Sequence, residues 1–199
     1  IDLKQLVGRL NEVCRRTLEA AAGLTMSRTH YNVEIEHWLA TLTDRNDSDV
    51  AAILRHYEID QGRFATDLNR ALEKLKTGNG RAPALAPDIV EWVKQAWLLA
   101  SLEQGATRLR SGHLMWALLA DENLSRRARE ASGQLLKIQP DQLKRDLGSI
   151  AANSAEAADA ATAAASGEEG GAGACQRHPV IVERGGEVEP GDALVLEDG

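Results

Sequence analysis

A chain of 199 residues holds one good-sized domain with an appendage, or two small domains, and about 150 residues bury enough surface to fold without a disulfide or metal staple. Five prolines, 4% aromatic residues and an abundance of Ala, Leu, Arg and Glu exclude a β-sandwich or barrel and favour soluble helices. The net charge of −7 is unevenly spread, with 21 basic against 20 acidic residues in 1–150 and 2 against 10 in 151–199, so neither part carries the basic footprint of a nucleic-acid binder.

Apolar positions 3, 6, 7, 10, 13, 14 and 18 repeat at helical spacing and predict a first helix over Leu3–Ala22, with Gly23 as its stop. A short link leads to a second helix over Glu34–Leu42, with Ile35, Trp38, Leu39 and Leu42 on one side. Asn46–Asp49 offers several caps for a third over Val50–His56, and Asp60 caps a fourth carrying Phe64, Leu68, Leu72 and Leu75. Thr77–Pro83 is the clearest loop. Beyond it, Pro87 opens a strongly apolar helix ending at Gly105, Ser111-Gly112-His113 opens another, Ser125 can cap a third, and Pro140 begins the last.

The second series repeats the first. His37-Trp38-Leu39-Ala40-Thr41-Leu42 lies over His113-Leu114-Met115-Trp116-Ala117-Leu118 at an offset of 76, and Gly23 over Gly105 at 82. The drift falls in loops, where insertions are tolerated. The expected fold is all-α: two pseudo-twofold four-helix repeats, about 1–77 and 84–150, closing on each other because two copies are too few for an open stack. Residues 151–174 are an Ala/Gly-rich segment without a large apolar anchor, expected to be a flexible linker. Residues 175–199 form a possible short hairpin or acidic tail. On this reading, deleting 151–199 leaves the melting temperature almost unchanged.

Chemistry is mostly missing. No Gly-x-x-x-x-Gly-Lys-Ser/Thr motif occurs, so ATP hydrolysis would reside in a motor absent from this sequence. His30 and His37 stand seven apart, without the i, i+4 spacing that puts two imidazoles on one zinc ion, and no metal or other cofactor is expected. His37 and His113 hold equivalent places near helix starts, which suits capping or a buried hydrogen bond. Cys14 has Arg15 and Arg16 beside it but lies on the apolar stripe, and with Cys175 forms neither a disulfide framework nor a metal spacing. A helical hydrolase using His30, Glu34, His37 or Cys14 is the rival class, disfavoured because no pair has catalytic spacing. No signal peptide and no apolar run near 18 residues is present, so no membrane span is expected and the cytoplasm is the default location.

Taken together, Ser27-Arg28-Thr29-His30-Tyr31-Asn32-Val33-Glu34-Ile35-Glu36-His37-Trp38-Leu39, the second opening at Gly112-His113-Leu114, and the start Leu3–Asn11 with Cys14-Arg15-Arg16 resemble the double Clp amino-terminal repeat of Clp/Hsp100 unfoldases, with the opening most similar to the ClpV branch of type VI secretion. The resemblance covers about residues 1–150. It implies a non-catalytic recognition domain ahead of an ATPase module, through which alone the protein would become hexameric. The implied partner is an amphipathic amino-terminal helix of a contractile sheath subunit, bound to support sheath disassembly; the alternative is a Clp adaptor or substrate, for a general chaperone domain or a stand-alone accessory protein. It also implies an apolar groove with Val7, Leu10, Asn11, Cys14 and Arg15 on one side and Trp92, Val93 and Ala96, with Leu114 behind, on the other. Such helix-in-groove recognition draws its affinity from anchors at i, i+3 and i+4. Asn11 and Gln95 would bond a peptide's polar atoms or face solvent. The Ala/Gly segment leads to Cys175–Gly199, which matches no motor connection; the chain is a fragment, a fusion or a stand-alone homologue.

Overall fold

The computed structural model describes residues 3–171, with the side chains of 4–164. The hairpin or tail expected over 175–199 lies outside the described residues. Helices α1 (Leu3–Val7), α2 (Glu12–Ser27), α3 (Ile35–Thr43), α4 (Asp49–His56) and α5 (Gln61–Glu73) make the first half. The second comprises α6 (Pro87–Gln104), α7 (Ser111–Ala120), α8 (Glu122–Ala131), a 3-10 turn over Gly133–Lys137 and α9 (Pro140–Ile150), and α10 (Ala155–Gly171) comes after it. Two strands, β1 (Asn32–Val33) and β2 (Ala84–Leu85), pair in parallel.

Most helix starts fall where the sequence places them. Asp60 accepts the Arg63 amide, Pro87 occupies the first turn of α6, and Gly105 ends that helix in the left-handed region at φ 60°. The start of α8 is corrected: Asp121, not Ser125, is its cap, accepting from the amides of Asn123 and Leu124. The first helix is also corrected. It breaks at Gly8–Asn11, because the Asn11 carboxamide caps a new helix by accepting the Cys14 amide at 2.9 Å and Leu10 leaves the helix to bridge Leu109. Gly23 stops nothing: α2 continues to Ser27, and Thr29 takes the left-handed turn at φ 53°.

The halves interlock at their entrances. Ala86, just before α6, donates its amide to the Val33 carbonyl ahead of α3, at 3.1 Å. Asn11, just before α2, donates to the Leu109 carbonyl ahead of α7, at 2.8 Å. The entrance of α2 is thus tied to that of α7 and the entrance of α6 to that of α3, and these exchanged strand-like contacts are the pseudo-twofold relation in hydrogen bonds. At the centre, the rings of Trp38 and Trp92 meet with centroids 4.9 Å apart. Both indole N–H groups are satisfied, by the Thr17 hydroxyl at 3.1 Å and the Leu114 carbonyl at 2.7 Å, so the buried pair carries no unpaired donor.

The segment expected to be a free linker starts inside the body. Ala151, Ser154 and Glu156 are buried, and the Ala155 amide bonds the Asp47 carbonyl at 3.0 Å. A boundary at residue 150 therefore cuts through packed structure.

Candidate functional site

Six of the nine side chains expected to line a groove lie under the surface: Leu10, Cys14, Trp92, Val93, Ala96 and Leu114 are all buried. Val7 and Asn11 are half-buried, and Arg15 is exposed in an ion pair with Glu12. Only these last three meet solvent to any extent; the other six belong to the buried core. Gln95 is half-buried and bonds Glu91 of its own helix at 2.8 Å. Asn11 spends its carbonyl on the α2 cap and its amide N–H on Glu156.

Exposed apolar surface sits on the outer face of α6. Leu98 is 50% and Leu102 76% exposed, one helical turn apart. Trp97 beside them is half-buried, with the Arg9 guanidinium 4.8 Å from its ring centroid, and α1 packs on the same helix. The sequence carried this signal. Apolar residues at 97, 98, 99 and 102 make α6 greasy over a wider arc than the stripe Ile89, Trp92, Val93, Ala96 and Ala100 needs for burial.

The histidines are structural. The Glu34 amide donates to His37 Nδ1 at 3.0 Å and the Arg110 amide to His113 Nδ1 at 3.2 Å, so each imidazole closes the first turn of its helix. Both rings must then carry their proton on Nε2. His37 donates it to His30 Nδ1 at 2.8 Å, and His113 to Gln104 at 3.1 Å. Burial pushes both down to about 4, helped by His30 and Arg28 near His37 and by Arg110 near His113. Burial, with Glu156 and Asp49 nearby, raises the Cys14 thiol well above its usual value, so it is no activated nucleophile. No group of three or more His, Cys, Asp or Glu side chains suited to a metal occurs among the described residues.

Two polar seams run between the halves. The first joins the starts of α2, α4 and α7: Arg110 forks onto Asp49 with bonds of 2.8 and 2.7 Å, and Glu156 enters from α10. Gly112 lets the α7 backbone come this close, since a β-carbon there would sit 2.8 Å from Leu147 and 3.0 Å from an Asp49 oxygen. The second seam joins the pseudo-equivalent α6, α8 and α3, where Arg127 lies between Asp88 and, at 3.5 Å, Glu34.

Residues 9–130 match the family described as Clp repeat (R) N-terminal domain. The chain belongs to that family. This Clp-N chain is 32% identical to the chaperone protein ClpB of Yersinia enterocolitica over 156 residues, covering 78% of this chain and 18% of that protein. It is 31% identical to the AAA+ ATPase ClpV1 of Pseudomonas aeruginosa over 151 residues, covering 76% and 17%. The Clp-N chain thus spans less than a fifth of the length of these relatives. A solved complex of a ClpV N-domain with a VipB peptide superposes with a TM-score of 0.65 at 32% identity, covering 78% of this chain and 95% of that one. Among the described residues no helix is long and apolar enough to cross a membrane.

Proposed function

We propose that this Clp-N domain is the recognition domain of a ClpV-like type VI secretion unfoldase and binds an amphipathic amino-terminal helix of a contractile sheath subunit. The sheath is then disassembled by an ATPase module to which this domain delivers it. The single observation that carries the reading is the exposed apolar side of α6 beside α1, in a chain 32% identical to a ClpV N-domain solved with a VipB peptide. The ligand helix is assigned to Val7, Asn11 and Arg15 on one side and Trp97, Leu98 and Leu102 on the other. The buried Leu10, Cys14, Trp92, Val93, Ala96 and Leu114 shape that surface from beneath. An apolar ligand stripe against exposed leucines is the usual basis of helix-in-groove affinity.

The test is a tryptophan-fluorescence titration of the full chain with a synthetic amino-terminal helix of a sheath subunit, repeated with Leu98→Asp and Val7→Asp. Saturable binding weakened roughly tenfold or more by either charge, the effect of losing one well-packed anchor, supports the reading. Unaltered binding in both variants removes the surface, and absence of binding by the folded chain removes the partner. A second reading, an adaptor- or substrate-binding domain of a general Clp chaperone, is favoured by the equal likeness to ClpB. It predicts capture of an unfolded model substrate, with no preference for the sheath helix.

A further inference from the structure

The body is built to receive Glu156. This side chain is 1% exposed although it stands in the first turn of an Ala-rich helix, while Asp159 on the same helix is exposed. One carboxylate oxygen accepts the Asp49 amide at 2.9 Å and the Ser111 hydroxyl; the other accepts the Ser111 amide and the Asn11 side-chain N–H, each at 2.7 Å. The donors come from three separate elements: the cap of α2, the first residue of α4 and the first residue of α7. Two of them are helix N-terminal amides that have no intrahelical partner and carry the positive ends of their helix dipoles. Around this centre, Ser154 donates to Asp49, receives the Ala157 amide at 3.0 Å and stands 3.4 Å from the Arg110 guanidinium.

After its first turn α10 has no large apolar side chain to hold it down. Residues 157–164 are Ala, Asp and Thr, and 158–164 are exposed. The side-chain hydrogen bonds that join α10 to the body gather at its first turn, on Glu156.

The second seam supplies an independent reason to expect an acid at this position. There the cation Arg127 is met by two carboxylates, Glu34 from α3 and Asp88 from the start of α6. The first seam has its cation Arg110 and one acid, Asp49; at the start of α2, Glu12 is paired with Arg15 and Arg16 while neutral Asn11 meets Glu156, and the second acid arrives from outside the two repeats.

We propose that Glu156 is a latch: it completes the first seam, fastens the segment after the two repeats onto the start of α2, α4 and α7, and so fixes the direction in which the chain leaves the domain. The exit of the chain is then aimed, and free only when Glu156 is withdrawn. The latch shares Asn11 with the assigned ligand surface but holds whichever partner the domain binds, and its test reads hydrogen exchange without a ligand.

Hydrogen exchange on the full chain, resolved to the amides of 155–162, tests it. The native chain protects these amides. Glu156→Ala lowers their protection roughly tenfold or more, the factor corresponding to one charge-assisted hydrogen bond lost. Asn11→Asp separates latching from folding, because an aspartate still caps α2 but turns a donor toward Glu156 into a repelling acceptor. Protection of 155–162 falls while that of 15–27 stays. Free exchange of 155–162 in the native chain overturns the latch. So does native-like protection of 155–162 in Asn11→Asp, including when Glu156→Ala fails to fold.

Discussion

The two seams occupy equivalent places in the two halves and hold the same formal charges, one arginine and two carboxylates, yet they are buried to different depths. In the first, the Arg110 and Asp49 side chains are 23% and 2% exposed and bond bidentately; in the second, Arg127 and Glu34 are 44% and 19% exposed and stand 3.5 Å apart. The N-cap positions themselves are inverted, Glu34 before α3 and Arg110 before α7, so the repeat has kept the pairing between halves while exchanging its signs. The difference in depth comes from what covers each seam. Ser154 and Glu156 close the first and exclude water, which strengthens each hydrogen bond there and raises the cost of leaving one unmade. Among the described residues, no second carboxylate from outside the repeats pairs with Arg127 in the other.

The sharpest break of this comparison is to remove the matching acid from each seam. Asp49→Ala leaves Arg110 without its fork and is expected to cost about 3–5 kcal/mol in urea unfolding, the range for a broken buried pair. Asp88→Ala, in the more open seam, is expected to cost about 1 kcal/mol or less, and that cost should shrink further in high salt. Equal costs would erase the distinction between the seams.

A smaller effect is expected from the two equivalent histidines. Both imidazoles accept a backbone amide and are held neutral, with folded values near 4 against 6.5 for the free side chain. A depressed histidine value means that the unfolded chain takes up the proton first. Stability is therefore complete above about pH 6.5 and falls as the pH drops toward 4, by on the order of 3 kcal/mol at most for each ring. Thermal midpoints across this window check it, and His113→Gln should flatten the fall by about half. Glu156 works in the opposite sense. Burial and the neighbouring Asp49 raise its carboxyl against the hydrogen bonds from Ser111 and the Asp49 amide, so its burial becomes less costly as the pH falls. Glu156→Gln should make the acid loss steeper.

The smallest expected effect is Arg127→Met. It keeps the aliphatic stem over the second seam and removes an exposed cation, for a change within about 1 kcal/mol in the same urea assay. A cost of several kcal/mol would show that the second seam is as tightly built as the first.

Much of this was legible in the residues. The 3.6-residue spacing of Phe64, Leu68 and Leu72, the cap at Asp60, Pro87 at the start of α6 and Gly105 at its end give helix positions directly, since each acts through its nearest neighbours. The equivalence of His37 and His113 likewise foretold a shared structural role. The break at Gly8–Asn11 was hidden, because Leu6, Leu10, Val13 and Cys14 keep an unbroken apolar period and the competing contact, to Leu109, lies almost a hundred residues away. Leu98 and Leu102 were visible as apolar residues but not as surface, since which side of a uniformly apolar helix faces water depends on what packs on the other. The site residues expected from family resemblance mixed buried with solvent-facing side chains for the same reason.

By itself, then, the sequence determined the helical class, the internal repeat, most helix ends and an equivalent structural place for His37 and His113, all of which come from local stereochemistry and short-range hydrogen bonding. Only the tertiary structure decided the interlocked entrances, the depth of each seam and the capture of Glu156. Those depend on backbone amides from distant helix starts converging on one point, and a carboxylate in an alanine-rich stretch looks solvated until that convergence supplies its donors.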